Sequence, residues 1–209
     1  HVVRLLLTGG VDVRVLHLPK EDLRNIAGLD VERVAGDITD PGACANAARG
    51  CEWVFHLAAI YSLWLPKPEL MRKVNVEGAR NVLFAAREAG VKKVVYTSSI
   101  AAFGGQGLDK DATEESPFAY ATTGEPYAAS KYEGTLVARE FAKDGLDVSI
   151  VAPCGPVGPG DVGPTPTGKL ILATVEMPFV PLLENSTNWG DVRDMAAGHL
   201  LAAKKGRKG

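Results

Sequence analysis

The sequence predicts an α/β fold built on a doubly wound parallel sheet with helices on both faces. Three observations lead there. Six short apolar runs recur along the 209 residues. Segments with apolar residues at helical spacing lie between most of them. A stretch rich in Pro and Gly follows the last run, where an open α/β sheet carries the loops around its ligand.

The first run, Val2-Val3-Arg4-Leu5-Leu6-Leu7, stops at Thr8-Gly9-Gly10 and reads as a buried parallel strand. Further strands are expected at Asp12 to Leu16, Val31 to Val34, Trp53 to Leu57, Lys93 to Thr97 and Asp147 to Val151. Asp40-Pro41 opens a helix, with Asp as cap and Pro in the first turn. Glu69 to Ala89 has helical periodicity and ends at Gly90. A third helix covers Tyr127 to Lys143 and is stopped by Gly145. Residues 153–168 hold five Pro and five Gly and read as a loop beside a site, and Asp191 to Lys205 reads as a helix. The expected division is a nucleotide-binding unit over 1–152, then a loop and partial substrate lobe over 153–209 whose helix returns to the core.

One interval conflicts with this scheme. Only Gly9-Gly10-Val11 separates the first two runs, whereas adjacent parallel strands need a crossover of about 10–12 residues. A Gly-Gly hairpin is one resolution. Both runs look doubly buried, however, so the preferred reading is that a glycine-rich turn and its helix are missing between Gly10 and Val11.

Composition excludes several classes. Hydrophobic residues make up 46% of the chain and the net charge is −2, with no basic face of the kind that binds nucleic acid. Cys44, Cys51 and Cys154 lack metal-ligand spacing, and their odd number points to a reducing compartment. The longest mostly apolar run, Trp53 to Leu65, is interrupted by His56 and too short to span a bilayer. A cytoplasmic protein without transmembrane segments, metal or nucleic-acid partner is the expectation. Because His1 stands where an initiator Met would, the chain is not assumed to be a complete gene product.

The chemistry concentrates in Tyr127-Ala128-Ala129-Ser130-Lys131. Tyr and Lys four residues apart share one helical face. An ammonium near a phenol favours phenolate, and a phenol so tuned can exchange a proton with an alcohol or carbonyl. Alone, that spacing is also what a surface helix pair would show. The fifth strand, however, ends in Tyr96-Thr97-Ser98-Ser99, and a serine hydroxyl there can hydrogen-bond the same substrate oxygen. Backbone capping is the plainer role, especially for Ser98.

Thr8-Gly9-Gly10, Gly36-Asp37, His56-Leu57-Ala58-Ala59, Asn75-Val76-Glu77-Gly78, Tyr96-Thr97-Ser98-Ser99 and Tyr127 to Lys131 occur in one order. In that order they resemble the extended short-chain dehydrogenases/reductases of the NAD-dependent epimerase/dehydratase group, whose fold is Rossmann-type. The chain is most similar to the dihydroflavonol-4-reductase-like, 3β-hydroxysteroid dehydrogenase-like and hopanoid-associated sugar epimerase branch. Pro164 to Gly168 and Asp191-Val192-Arg193-Asp194 fit that branch too.

The resemblance implies Tyr127 as general acid/base, Lys131 as its pKa-lowering partner and ribose ligand, and Ser99 as the group that orients the substrate oxygen. It implies NAD or NADP as cofactor. Thr8, Gly9 and Gly10 would open the pyrophosphate loop, and Asp37 and Ile38 would contact adenine. Leu57, Ala58 and Ala59 would line the cofactor channel with Thr97, and Pro153 would sit near the nicotinamide. His56 reads as a strand-end residue, and Asn75 as a buried structural amide. Leu18 stands where NADP-preferring relatives carry Arg, so the choice between NAD and NADP stays open, with Lys20 and Arg24 as nearby cations. Gly155 stands where sugar-nucleotide epimerases carry Asn, which tilts the reading towards oxidoreduction of a less polar alcohol or ketone. An epimerase or dehydratase of nucleotide sugars, and a non-catalytic nucleotide-binding protein, are the competing readings. The partners expected are a small-molecule substrate and a second copy of the chain, packed through the Glu69–Ala89 and Tyr127–Lys143 helices.

Overall fold

The computed structural model describes residues 1–62, 65–103, 111–118, 125–177 and 188–209. Every strand pair in it is parallel. β1 (Arg14–His17) pairs with β2 (Glu32–Ala35), and β4 (Lys93–Thr97) lies between β3 (Trp53–His56) and β5 (Val148–Val151). A short pair, β6 (Gly155–Val157) and β7 (Trp189–Asp191), stands apart from both. The strands fall within one or two residues of their expected places.

Helices cover both faces. On one side lie α2 (Pro41–Ala48), α4 (Ala79–Glu88) and α5 (Pro126–Lys143); on the other lie α1 (Val2–Thr8) and α7 (Val192–Lys205). The main core sits between α4, α5 and the central strands, where Leu83, Val94, Tyr96, Ala138 and Val148 are buried. A smaller cluster joins Val2 and Leu6 of α1 to Ala196 of α7, with Leu5, Val13, Phe55 and Leu200 around it. Asp40 caps α2 by accepting from the Gly42 amide at 2.8 Å, as its Asp-Pro start predicts.

The first run is a correction: Val2–Thr8 is a helix and not a strand. Val2, Leu5 and Leu6 share one helical face, and that face supplies the contacts to α7. The helix ends as glycine-stopped helices do. Gly10 takes φ +71°, its amide bonds Leu7 O at 2.9 Å, and the Val11 amide bonds Leu6 O at 3.2 Å. These bonds draw Val11 into the closing turn of α1. Gly9 and Gly10 close a helix, so a Gly-Gly hairpin is not formed. A six-residue apolar run is too short for its period to separate strand from helix.

The helix expected over Glu69 to Ala89 is present as α3 (Pro68–Arg72), a π-helical turn, Lys73–Gly78, and α4 in succession; the π-helical turn was not anticipated. The Pro/Gly-rich stretch contains β6 and leads into α6 (Pro166–Glu176), capped by the Thr165 hydroxyl.

The free edges of β1 and β3 border one cavity of about 380 Å³, lined by Val13 to Leu16 and Trp53 to Ala58. His1, Val2, Val3 and Leu6 close it on one side, and Ile38, Cys44, Ala48 and Val82 on the other. No helix among the described residues is long and apolar enough to cross a membrane.

Candidate functional site

The site is assembled at the C-terminal end of β4, where the chain runs Thr97-Ser98-Ser99. The side chains alternate in what they grip. Ser98 Oγ meets Thr135 Oγ1 of α5 at 2.6 Å, and Thr135 in turn donates to Lys131 O at 2.7 Å. Thr97 Oγ1 lies 3.0 Å from His199 Nε2 of α7. Ser99 Oγ accepts from the Ala101 amide at 3.2 Å and caps the 3₁₀ turn Ile100–Ala102. Pro153 O accepts from the Ile100 amide at 3.1 Å, which brings the loop after β5 to the same place.

Helix α5 delivers Tyr127 and Lys131. Its start is fixed by Glu125, whose carboxylate accepts from the Tyr127 amide at 3.1 Å and the Ala128 amide at 2.5 Å, with Pro126 in the first turn. Tyr127 is thereby held in the first turn and Lys131 one turn later. Ser99 is the side chain that favours the Tyr127 phenolate, and the Tyr127 ring lies against Tyr61 with centroids 4.9 Å apart. Lys131 is 4% exposed. Its Nζ donates to Thr97 O at 2.6 Å and lies 5.4 Å from the centre of the Tyr96 ring.

Asn75 locks this helix to the loop after β3. Its amide accepts from Ile60 N at 2.7 Å, donates to Ile60 O at 3.0 Å and donates to Ser130 Oγ at 2.9 Å. Ser130 passes its own hydrogen to Tyr127 O at 2.8 Å. Asn75 lies in the π-helical turn. Close packing of α5 against this turn requires Gly134, where a Cβ would come within 2.7 Å of Asn75 O. The buried structural amide read from the sequence is thus a brace for the catalytic candidates.

Burial shapes the electrostatics. It pushes the Tyr127 phenol above its ordinary pKa, opposed by Ser99 and reinforced by Tyr61 and Glu125. The Lys131 ammonium is engaged with Thr97 O. Desolvation brings Lys131 itself down to about 8. His56, buried beside Tyr96 with ring centroids 5.6 Å apart, falls to about 3 through burial and then the Lys131 charge.

The expected cofactor residues divide into three groups. Ser99, Thr97, Tyr127, Lys131 and Pro153 come together as described. Ile38, Leu57 and Ala58 line the cavity between β1 and β3, and Ala59 follows them as an exposed residue. Asp37 makes a turn by accepting from the Thr39 amide at 2.8 Å, and Ile38 O accepts from Asn81 Nδ2 at 3.0 Å. Thr8, Gly9 and Gly10 do not join them. They close the C-terminal end of α1, where the negative end of the helix dipole disfavours phosphate. The residues of α1 that line the cavity are Val2, Val3 and Leu6, beside His1. Among the described residues no group of three His, Cys, Asp or Glu could hold a metal ion. Residues 178–187, expected to contribute to the substrate side, lie outside the described residues.

Sequence reading missed Glu125 as a cap, though an acidic residue before Pro at a helix start is a legible signal. It also missed Tyr61 and His199, which only the fold brings to the site.

Parallel sheets covered on both faces, with Ser, Tyr and Lys gathered at the end of one strand, define a Rossmann-like α/β domain of the nucleotide-binding class. The chain belongs to the NAD dependent epimerase/dehydratase family, whose pattern matches residues 1–209. It is 40% identical over 209 residues to a Synechocystis protein bearing the name dihydroflavonol 4-reductase, covering 99% of this chain and 60% of that protein. The crystal structure of gox2253 superposes with a TM-score of 0.91 at 41% identity, covering 99% of this chain and 63% of that one. The dTDP-glucose 4,6-dehydratase DesIV of Streptomyces venezuelae, solved with NAD and TYD bound, matches with a TM-score of 0.85 at 29% identity over all of this chain and 69% of its own. The chain thus spans about 60% of the length of the curated relative.

Proposed function

We propose that this chain is the catalytic part of an NAD(P)-dependent oxidoreductase that interconverts an alcohol and a ketone, with Tyr127 as general acid/base. The observation that carries the reading is the meeting of Ser99, Tyr127 and Lys131 at the end of β4. A serine hydroxyl beside a phenol, with an ammonium one helical turn along the same helix, is a proton-transfer device that a pure binding module does not need.

The residues present suit the two ends of a nicotinamide dinucleotide. Lys131, Thr97 and Pro153 would hold the nicotinamide and its ribose. Asp37, Ile38, Leu57, Ala58 and Ala59 would receive the adenosine end, where the cavity and its small exposed alanines leave a path. Thr8 to Gly10 close α1 and are not among the residues that line the cavity. When bound, the cofactor supplies the hydride acceptor or donor.

The protein's own residues handle the oxygen and its proton. Ser99 and Tyr127 hydroxyls together orient a carbonyl or alcohol oxygen. With its pKa raised by burial, the Tyr127 phenol is protonated at neutral pH and ready to donate, which suits the reductive direction. Lys131, buried and titrating near 8, supplies the positive charge that a phenolate needs once the proton has left.

One observation favours oxidoreduction over nucleotide-sugar epimerisation. Gly155, at the position expected to carry an epimerase Asn, is backed by Trp189, whose ring atoms would lie 3.0 and 3.1 Å from an added Cβ. A side chain there would have to displace the Trp189 ring. Arg24 is already paired with Asp22, which leaves Lys20 as the cation near Leu18 without a partner among the described residues, placed for a 2′-phosphate. Three unpaired cysteines fit a cytoplasmic setting. Phe84 and Leu136, 49% and 43% exposed on α4 and α5, fit a homodimer through those helices.

The test is Tyr127→Phe in the longer protein, with NAD(P)H absorbance followed during turnover of ketone substrates. Loss of roughly 10²–10⁴-fold in kcat with cofactor affinity retained is expected. Unchanged turnover removes Tyr127 from the mechanism. Turnover of a nucleotide sugar with no net absorbance change would assign the epimerase reading instead.

A further inference from the structure

Lys131 is linked through Thr97 to a residue on the opposite face of the sheet. Its Nζ donates to the backbone carbonyl of Thr97 at 2.6 Å. The side chain of the same threonine reaches the other way, to His199 of α7. His199 is 4% exposed, and no step of the proposed chemistry uses it.

The hydrogen bonds of His199 fix its tautomer. Nδ1 lies 2.7 Å from Met195 O, and a carbonyl only accepts, so Nδ1 carries the hydrogen. In the neutral ring Nε2 is then an acceptor, and the Thr97 hydroxyl must donate to it. The direction runs Thr97 Oγ–H to Nε2 and Nδ1–H to Met195 O. The Thr97 side chain is thereby held in one orientation, and the end of β4 is tied to α7. On the α5 face, Ser98 and Thr135 tie the neighbouring residue.

We propose that His199 is a positioning residue for Lys131, acting through Thr97: it holds the strand end that presents the Thr97 carbonyl to the ammonium. The inference rests on the reading of Lys131 as part of the proton-transfer site, but it can be tested without turnover. The carbonyl stabilises the charged ammonium against a burial that favours the neutral amine. A loosened strand end weakens that bond, and Lys131 then loses its proton at lower pH.

The experiment is an NMR titration of lysine Cε resonances in the 209-residue chain, with Lys131 assigned by Lys131→Arg. Thr97→Val removes the hydroxyl donor at nearly constant volume, and His199→Leu removes the acceptor. Each is expected to move the Lys131 midpoint down by ~0.5 or more. Thr97→Val with His199→Leu together should move it no further than either alone, because both break one link. His199→Gln, which keeps an acceptor, should restore much of the wild-type midpoint. Should His199→Leu fail to fold, Thr97→Val carries the test, since it leaves α7 intact.

An unchanged midpoint in a folded Thr97→Val chain overturns the proposal. So does a lower melting temperature with no movement of Lys131, which would make His199 a packing residue. Failure of the functional reading looks different: Tyr127→Phe would leave turnover of the longer protein intact while the Lys131 titration still followed His199.

Discussion

Asn75 and Ser130 meet side chain to side chain at 2.9 Å, and through them the loop at Ile60 is bound to the helix that carries Tyr127 and Lys131. Both residues are 2% exposed. Replacing Asn75 by Ala leaves the amide and carbonyl of Ile60 without their partner and removes a hydrogen bond from Ser130. A loss of about 2–3 kcal/mol in unfolding free energy is expected, measured by urea titration. A loss below the error of the titration would mean that water takes the place of the amide.

Gly134 allows α5 to approach Asn75 and Tyr96. An alanine there would bring its Cβ within 2.7 Å of Asn75 O, a backbone atom that cannot swing aside. Gly134→Ala should destabilise the chain by roughly 1–3 kcal/mol, despite the better helix propensity of Ala. A stabilised Gly134→Ala variant would show that the helices separate at little cost.

His56 gives the fold an acid sensitivity. Its pKa of about 3 when folded lies below the ordinary 6.5. The unfolded chain therefore binds more protons between those limits, and stability falls as pH drops through this window. By pH 5 the loss from this residue is about 2 kcal/mol. Unfolding free energies at pH 7 and pH 5 should differ by roughly that much more in the wild type than in His56→Gln.

Lys131 acts in the opposite range of pH. Its pKa of about 8 in the folded chain lies below 10.5, so its burial destabilises the protein fully below pH 8, and this penalty fades as pH rises towards 10.5. Lys131→Met should stabilise the chain by on the order of 1–2 kcal/mol at pH 7 once the lost hydrogen bond to Thr97 is counted. The advantage should shrink by pH 10. A variant that is less stable at both values would mean that the Thr97 bond outweighs the desolvation.

Much of this architecture was legible beforehand because its signals are local. The strand runs Trp53 to Leu57 and Lys93 to Thr97, the Asp40-Pro41 cap and the Tyr127–Lys131 spacing all depend on short stretches of chain, and the structure places them as expected. Val2 to Leu7 misled because a six-residue apolar segment looks alike in either conformation. Gly10 was the available clue, as a left-handed residue closing a helix. Moving the element from strand to helix also moved Thr8, Gly9 and Gly10 from a phosphate-facing end to a carbonyl-rich one. His199 and Tyr61 carry no local signal, because their partners lie 102 and 66 positions away and only the crossovers of the sheet unite them. The raised pKa of Tyr127 was hidden for a related reason: sequence spacing does not say how deeply the fold buries the phenol.

The cavity between β1 and β3 has a consequence for handling the protein. Among the described residues each strand is paired on one side only, so its other edge, bordering the cavity, has a row of backbone donors and acceptors without a strand partner. Such rows are templates for any extended chain that reaches them. A segment that settled there would zip the two sheets into one continuous surface. At high concentration, loops from other molecules compete for the same berth, and the 209-residue chain is expected to self-associate more readily than a version in which the berth is filled.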